Sequence, residues 1–359
     1  MKTVQTKAPG KLYIAGEYAV VEPGQSAIIT AINRFVTAHI SPSKTDQGSI
    51  DSVGFTQKPV KWVRVDNELK LVDSAVSLSY VVSAIQTTEA YLAEKGISLV
   101  PFDVKINSEL DDVDGKKLGL GSSGAVTVAL VKALLEFYGA DVRDLLVFKL
   151  SVLAQMNLGV NSSFGDIAAS TYTGWIQYTS FDRDFVKQYC KDNSLVDTVN
   201  AYWPRIMIKR MKVKRKVNFL VGWTGSPASS HDLVGAVQDK KELTDDQYNH
   251  FLEESKASVA YLTIGLEEGH PAKIKEAIDR NRKALLEMGA EKNVVIETPL
   301  LTKLCNIARK HGGAAKTSGA GGGDSGIAFL FAKKHMKPVI DEWKKNGITH
   351  LDVTVYRHH

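Results

Sequence analysis

A short glycine- and serine-rich segment constrains this chain more than any other feature. It runs from Lys117 to Ala125 (KLGLGSSGA) and opens a strongly helical pattern over residues 122–138. Glycines permit positive φ angles and close approach of a ligand, and the unpaired N–H groups at a helix start attract anions. The spacing fits neither a Walker A loop nor a dinucleotide fingerprint. It predicts a phosphate-binding loop, the plain alternative being a turn before a well-capped helix.

A second glycine cluster lies near the other end of the chain. Residues 316–326 read KTSGAGGGDSG and precede an apolar strand pattern at residues 327–331. Five of the eight residues from Gly319 to Gly326 are glycine, which is more than a simple hairpin requires. A structural loop is the alternative to a ligand-binding loop here.

Hydrophobic periodicity predicts a chain of mixed α and β structure. The expected helices cover residues 77–95, 122–138, 142–156, 245–268, 272–288 and 298–311, one more begins near Gly165, and another ends near Lys345. The expected strands include residues 102–106, 327–331 and 351–356. Alternation over residues 203–222 indicates a long strand or hairpin that begins a second domain, so we place the two domains at residues 1–200 and 201–359.

Together with residues 9–18 (PGKLYIAGEY), the two glycine segments resemble the three ordered motifs of the GHMP small-molecule kinases. The resemblance spans nearly the whole chain. It is greatest to the phosphomevalonate kinase branch, because of GWTGSPASS at residues 222–230 and KTSGAGGGDSGIAF at residues 316–329. The resemblance implies an α+β fold with a ribosomal S5 domain 2-like N-terminal domain and a ferredoxin-like C-terminal domain. The active site is expected in the cleft between them.

The resemblance also implies two catalytic residues. Asp166 matches the family's carboxylate in the string NSSFGDIAAS, and Lys11 belongs to the first motif. The family usually reads Ser-Gly-x-Asp, whereas Phe164 and Gly165 are transposed here. The plain alternatives are that Asp166 only stabilises the start of a helix and that Lys11 is an ordinary exposed lysine.

Further site residues follow from the same resemblance. The family pattern assigns the ATP phosphates to Lys117, Gly119, Leu120, Gly121, Ser122, Ser123 and Gly124, with Ser123 also a ligand of Mg²⁺. Relatives carry a glutamate as second metal ligand where this chain has Gln155. The acceptor is expected at Lys11, Ser162, Ser163, Gly319, Gly321 and Gly322, with residues 226–230 and Lys316 as further options for its phosphate. Trp62 and Trp223 could stack on adenine but are better explained as core residues.

The expected reaction is transfer of the γ-phosphate of ATP to the phosphate of 5-phosphomevalonate. Mevalonate kinase and diphosphomevalonate decarboxylase activities remain open, as does a non-catalytic or RNA-binding protein on the same scaffold. A formal charge of +5 is weak evidence for nucleic-acid binding. The basic run at residues 209–216 is typical of the solvated face of an edge strand.

Composition limits the other partners and the compartment. The two cysteines, Cys190 and Cys305, lack the spacing of a disulfide framework or a zinc site, which favours a reducing cytoplasm. No apolar run reaches the roughly 18 residues that a membrane span requires. We therefore expect small-molecule partners, and no nucleic acid, membrane or obligate protein partner.

Overall fold

The computed structural model describes residues 1–53, 56–66, 68–72, 78–111, 118–214, 217–225, 233 and 245–357. The strands are β1 (Val4–Ala15), β2 (Ser26–Pro42), β3 (Gly48–Ser52), β4 (Val60–Val65), β5 (Glu68–Leu71), β6 (Phe102–Ser108), β7 (Trp175–Thr179), β8 (Met207–Arg210), β9 (Asn218–Trp223), β10 (Ala314–Thr317), β11 (Ser325–Leu330) and β12 (Thr349–Leu351). The helices are α1 (Ser79–Glu94), α2 (Ser122–Phe137), α3 (Asp144–Met156), α4 (Gly165–Tyr172), α5 (Arg183–Asp192), α6 (Leu195–Asn200), α7 (Asp245–Glu268), α8 (Pro271–Glu291), α9 (Pro299–Lys310) and α10 (Met336–Lys345). The predicted α+β class is confirmed.

The long strand β2 organises the larger of two sheets. Strand β1 pairs antiparallel with it over most of its length. Its first residues also pair with β7 and its last residues with β6. Because a strand has only two edges, β6 and β7 share the edge opposite β1. The other strands extend this eight-stranded sheet in the order β5-β4-β3-β6-β2-β7-β8.

Four helices cover the centre of this sheet. Helices α2 and α4 pack on β1 and β2, and α1 and α3 pack against α2. The contact faces of α2 are almost wholly apolar, with residues such as Val128, Leu130 and Leu134 fully buried. This packing holds the N-termini of α2 and α4 beside the end of β1, which places the glycine loop and Asp166 near Lys11.

The smaller sheet is antiparallel, in the order β10-β11-β9-β12. Helix α9 packs on β10 and β11, α10 packs against α9 and β12, and their core includes the buried Leu304 and Trp343. Helix α8 pairs with α7 and also packs against β10. The smaller sheet therefore brings the second glycine cluster, between β10 and β11, towards the first motif.

The prediction of one strand or hairpin over residues 203–222 is wrong. Strand β8 pairs with β7 at the edge of the larger sheet, whereas β9 lies inside the smaller sheet. Alternation over the whole stretch cannot show that two strands join different sheets. The prediction of a solvated edge strand over residues 209–216 is confirmed only for Lys209 and Arg210, which are exposed in the edge strand β8. Residues 211–214 lie outside the strand, and residues 215–216 lie outside the described residues.

The C-terminal segment returns to the larger sheet. After the short strand β12, Val355 bridges to Ile32 of β2, and the N–H of Tyr356 donates to the carbonyl of Ala31. The predicted strand over residues 351–356 is thus divided between the two sheets. The larger sheet extends to Arg210, and the domain boundary at residue 200 stays a prediction.

Candidate active site

The three motif segments meet at the loop before α2. The backbone N–H of Lys11 donates to the carbonyl of Leu120 at 2.8 Å, and its side-chain Nζ donates to the carbonyl of Gly119 at 2.9 Å. From the second glycine cluster, Ser325 Oγ donates to the carbonyl of Leu118 at 3.1 Å. Segments more than 100 residues apart in sequence therefore hold one loop from two sides.

Three glycines of this segment, Gly119, Gly121 and Gly124, each leave space for a charged side chain from another part of the chain. A Cβ atom on each would come closer than 3.0 Å to a side chain from another segment. The pairs are Gly119 with Asp324 at 2.7 Å, Gly121 with Lys11 at 2.9 Å, and Gly124 with Asp166 at 2.6 Å. These distances are below ordinary van der Waals contact, so a side chain at any of the three positions would have to displace the charged side chain beside it. Gly119 and Gly121 also have positive φ angles, of 72° and 81°, which glycine adopts without strain.

Lys11 is a buried lysine that forms no salt bridge with any carboxylate in the described part of the chain. Its side chain is 9% exposed, and its ammonium lies over the ring of Tyr13 at 5.5 Å. Burial lowers the pKa of Lys11, and the negative charges of Asp166, Asp324 and Glu17 oppose that shift. The ammonium is thus surrounded by negative charge and retains N–H groups for an anionic ligand.

Asp166 lies in the first turn of α4. Burial raises the pKa of Asp166, whereas the Lys11 charge and the backbone N–H groups of Ile167 and Asp166 itself favour the ionised form. The preceding Phe164 adopts a left-handed conformation, with φ of 58°, and stacks on Phe181. A side chain at Gly165 would collide with the hydroxyl of Tyr13. The fold therefore accepts Phe164 and Gly165 in this order. The ring of Phe164 is held by Phe181, and Gly165 has no side chain to collide with Tyr13.

Ser162 and Ser163 shape the turn that leads to Asp166. The N–H of Phe164 donates to Ser162 Oγ at 3.2 Å, and the N–H of Gly165 donates to Ser163 Oγ at 3.3 Å. Ser163 is buried and its hydroxyl also bonds the hydroxyl of Tyr13 at 2.9 Å. Ser162 is partly exposed, so it is the more accessible of the two predicted acceptor ligands.

The start of α2 has the features of an anion site. Gly121 precedes the helix with φ of 81°, and the partly exposed Ser122 and Ser123 occupy its first two positions. Their N–H groups and that of Gly124 precede the first intrahelical bond, which runs from Ala125 to Gly121. These groups fit the predicted phosphate contacts. The predicted contact through Lys117 lies outside the described residues.

Gln155 is linked to the start of α2 by hydrogen bonds through Thr127. It is 3% exposed, and its Nε2 donates at 3.3 Å to the hydroxyl of Thr127, which in turn donates to the carbonyl of Ser123. Within the described ranges, no group of three or more His, Cys, Asp or Glu side chains could hold a metal ion. A Mg²⁺ ion fits this site only with few protein ligands, such as the Ser123 hydroxyl, plus nucleotide oxygens and water, which Mg²⁺ accepts readily.

Two glycines of the second cluster, Gly321 and Gly322, pack against the backbone of Ile296. The N–H of Gly322 donates to the carbonyl of Ile296 at 2.8 Å, and a side chain on Gly321 would collide with the same carbonyl. Gly319, with φ of 84°, faces open space. Lys316 is fully buried in a salt bridge with Glu17, so its ammonium is not exposed to bind a phosphate. The other option for that phosphate, residues 226–230, lies outside the described residues.

A cavity of about 540 Å³ runs along α1, beside Ser79, Gln86 and Asn157. Burial raises the pKa of the hydroxyl of the neighbouring Tyr80, and the negative charge of Asp166 adds to that shift. Trp62 is 1% exposed and Trp223 is 8% exposed, which confirms the prediction that both are core residues and leaves neither ring face free for adenine.

Sequence reasoning assigned no role to Asp324. Asp324 is buried with φ of 51°, and its carbonyl accepts from both the N–H and the hydroxyl of Thr224. Positive φ is unusual for a residue other than glycine, so the backbone of Asp324 marks it as a special position. The sequence could not show that its side chain packs against Gly119.

Comparison with known proteins extends over the whole chain. Residues 79–174 match the family described as GHMP kinases N terminal domain, and residues 265–349 match GHMP kinases C terminal. The chain is 37% identical to a phosphomevalonate kinase of Streptomyces sp. (strain CL190), covering 98% of this chain and 97% of that protein. A mevalonate kinase of Pyrococcus horikoshii is 27% identical, over 97% and 94% of the two chains.

Among solved structures, phosphomevalonate kinase of Streptococcus pneumoniae in complex with phosphomevalonate and AMPPNP is similar over the full length. It has a TM-score of 0.86 and 34% identity, covering 99% of this chain and 100% of that one.

Proposed function

Because this chain belongs to the GHMP kinase family, we propose that it transfers the γ-phosphate of ATP to the phosphate of (R)-5-phosphomevalonate, giving (R)-5-diphosphomevalonate and ADP. Family membership also confirms the predicted fold and the ATP-dependent kinase class. The observation that carries the proposal is the full-length similarity to phosphomevalonate kinases, at 37% identity, against 27% for the mevalonate kinase. The site supplies groups suited to each part of this reaction.

The loop before α2 would bind the nucleotide phosphates. Its glycines leave the backbone open, and the N–H groups of Ser122, Ser123 and Gly124 supply hydrogen bonds together with the positive end of the helix. Mg²⁺, when bound by the Ser123 hydroxyl and the nucleotide oxygens, would neutralise charge on the transferring phosphates. The cavity of about 540 Å³ beside α1 would take the adenine.

Lys11 would stabilise the transferring phosphoryl group. Its ammonium is anchored to the carbonyl of Gly119, beside the phosphate loop, and has no carboxylate paired to it within the described part of the chain. Phosphoryl transfer depends mainly on positioning and electrostatic stabilisation. A cation between two anionic phosphates supplies both, since it offsets their repulsion in a site from which water is excluded.

Asp166 would act mainly by position and charge. The acceptor is itself a phosphate with a second pKa near 6, so it is largely dianionic at neutral pH and needs little deprotonation. The negative charge of Asp166 favours the protonated form of Lys11. Asp166 would therefore hold the lysine charged and correctly placed, and would orient a residual acceptor proton when one is present.

The proposed compartment is the cytoplasm. In the part of the chain that the structure describes, none of the helices has the length and apolarity of a membrane span. Both expected partners, ATP and the phosphorylated acceptor, are water-soluble small molecules.

The decisive experiment is an acceptor screen by ADP release. The purified chain is supplied with Mg·ATP and, separately, with 5-phosphomevalonate, mevalonate and 5-diphosphomevalonate, and product CO₂ is measured in the last case. We expect turnover on 5-phosphomevalonate alone. Preference for mevalonate, release of CO₂ from the diphosphate, or salt-dependent RNA binding without ATP turnover would each replace the proposal with the corresponding alternative.

A further inference from the structure

The guanidinium of Arg183 has a hydrogen-bond donor, Nη1, that no described residue accepts from. Arg183 is the first residue of α5 and is partly buried, and its Nε donates to Asn161 Oδ1 at 3.1 Å. Its Nη1 is itself buried. No described carboxylate forms a salt bridge with it. A buried guanidinium N–H without a partner is costly, which makes this group a candidate for an anionic ligand.

The position of Arg183 relates it to the acceptor loop. Its partner Asn161 directly precedes Ser162 and Ser163 and stands five residues before Asp166. The hydroxyl of Tyr178 donates to the carbonyl of Ser163 at 2.5 Å. Burial raises the pKa of Tyr178 well above its ordinary value, the Arg183 charge lowers it, and the Asp166 charge raises it. Tyr178 is therefore within electrostatic reach of both groups.

The proposed acceptor has two anionic groups at opposite ends. Its phosphate is the nucleophile and must lie at Lys11 and Asp166, next to the γ-phosphate. Its carboxylate is six bonds from that phosphorus atom, at the other end of a five-carbon chain, and needs a separate partner. Lys316 is already paired with Glu17, whereas Arg183 adjoins the acceptor loop and has no described carboxylate paired to it.

We propose that Arg183 binds the carboxylate of the acceptor and thereby selects phosphorylated substrates that carry a carboxylate at the far end. The proposal rests on the proposed function. A planar guanidinium matches a carboxylate in a two-bond fork, with Nε already oriented by Asn161 and Nη1 available for the ligand. The contact is remote from the reacting atoms, so it contributes binding energy rather than chemistry.

The test compares two acceptors and two arginine variants. The acceptors are 5-phosphomevalonate and 3-hydroxy-3-methylpentyl phosphate, in which a methyl group replaces the carboxylate. For the wild type, we expect the Kd of the analogue to be about 100-fold weaker by calorimetry. For Arg183→Gln, we expect the Kd of 5-phosphomevalonate to weaken by a similar factor, that of the analogue to change less than threefold, and ATP binding to be unaffected.

Two further variants distinguish binding from folding. Arg183→Lys keeps the charge but loses the fork, and should restore part of the affinity for 5-phosphomevalonate. Arg205→Gln removes the same charge from an exposed neighbour that donates to the carbonyl of Pro23, and should leave both Kd values unchanged. Equal weakening of both acceptors by Arg183→Gln, or unchanged affinity for 5-phosphomevalonate, would overturn the proposal. Absence of wild-type turnover on 5-phosphomevalonate would instead refute the proposed function.

Discussion

The carboxylate of Asp166 occupies the space that a side chain on Gly124 would need. A Cβ atom on Gly124 would lie 2.6 Å from Asp166 Oδ2 and 2.9 Å from its Cγ. Gly124 belongs to the first turn of α2, and Asp166 to the first turn of α4. The glycine thus lets the N-termini of two helices approach each other, with the candidate catalytic carboxylate between them.

Gly124→Ala should therefore damage catalysis more than stability. The new methyl group forces the Asp166 carboxylate to move, and a displacement of about 1 Å in a reacting site costs on the order of 10²-fold in rate. The backbone at Gly124 is helical and accepts alanine without strain. We expect kcat to fall about 30- to 100-fold with 5-phosphomevalonate, while the melting temperature falls by only a few degrees.

The double variant Gly124→Ala/Asp166→Ala is the control for this explanation. Removing the carboxylate relieves the collision, so the loss of stability from Gly124→Ala should be smaller in the Asp166→Ala background. Additive losses of stability, or a fully active Gly124→Ala enzyme, would contradict the contact as described.

Lys11→Ala and Asp166→Asn separate charge stabilisation from base catalysis. Loss of the cation should lower kcat by about 10²- to 10³-fold, roughly 3–4 kcal/mol. Asp166→Asn keeps the size and one accepting oxygen, and should cost no more than Lys11→Ala. Both are measured at saturating Mg·ATP and 5-phosphomevalonate. An inactive Asp166→Asn enzyme, beside a Lys11→Ala enzyme within threefold of wild type, would show that a general base dominates.

The pH profile of kcat should report the ionisation of Lys11. Burial lowers its pKa from 10.5, and the Asp166 charge opposes the shift. Because the protonated form is the active one, kcat should fall as pH rises through a pKa below 10.5. Asp166→Asn removes a charge that favours the protonated lysine, so the alkaline limb should move to still lower pH.

The matched control for the pH profile is Asp192→Asn, which removes an exposed carboxylate at the end of α5. Its alkaline limb should coincide with that of the wild type. An alkaline limb that does not move in Asp166→Asn would show that the Asp166 charge does not set the ionisation of Lys11.

Lys316→Met should destabilise the fold, because it leaves Glu17 buried without its cation. The pair is 0% and 2% exposed, and loss of one partner of such a pair costs about 3–5 kcal/mol. We expect that loss in the free energy of unfolding by urea, and substantial recovery in Glu17→Gln/Lys316→Met. Lys337→Met, which removes one partner of an exposed pair, should change nothing measurable. Equal effects of the two single variants would show that burial of the Lys316 pair is not the cause.

Local patterns predicted the elements that hold the site. Residues 122–138 were expected as a helix and form α2 (Ser122–Phe137), and the helices expected at residues 245–268 and 298–311 form α7 (Asp245–Glu268) and α9 (Pro299–Lys310). Helices α5 and α6 were not predicted. Helix α5 (Arg183–Asp192) has four apolar residues at helical spacing, Phe185, Val186, Tyr189 and Cys190, so its sequence contained a helical pattern that the prediction missed.

Which side chains face one another depended on the tertiary structure. Lys316 was a candidate phosphate ligand by sequence, but in the fold it pairs with Glu17, 299 residues away. Arg183 lay in a segment with no local pattern that distinguished it, and Asp324 lay in the second glycine cluster but had no role assigned to it. Their roles depend on neighbours contributed by Asn161 and Gly119, and no local propensity encodes such long-range neighbours.

The sequence by itself determined the family, the mixed α and β structure and the glycine loops, because these depend on residue type and spacing within short segments. Only the tertiary structure decided that the three loop glycines admit Lys11, Asp166 and Asp324, and that Lys316 is paired while Arg183 has an N–H without a described partner. The physical reason is that close approach, burial and charge pairing are properties of surfaces brought together from distant parts of the chain. Helix–sheet packing determines which surfaces meet.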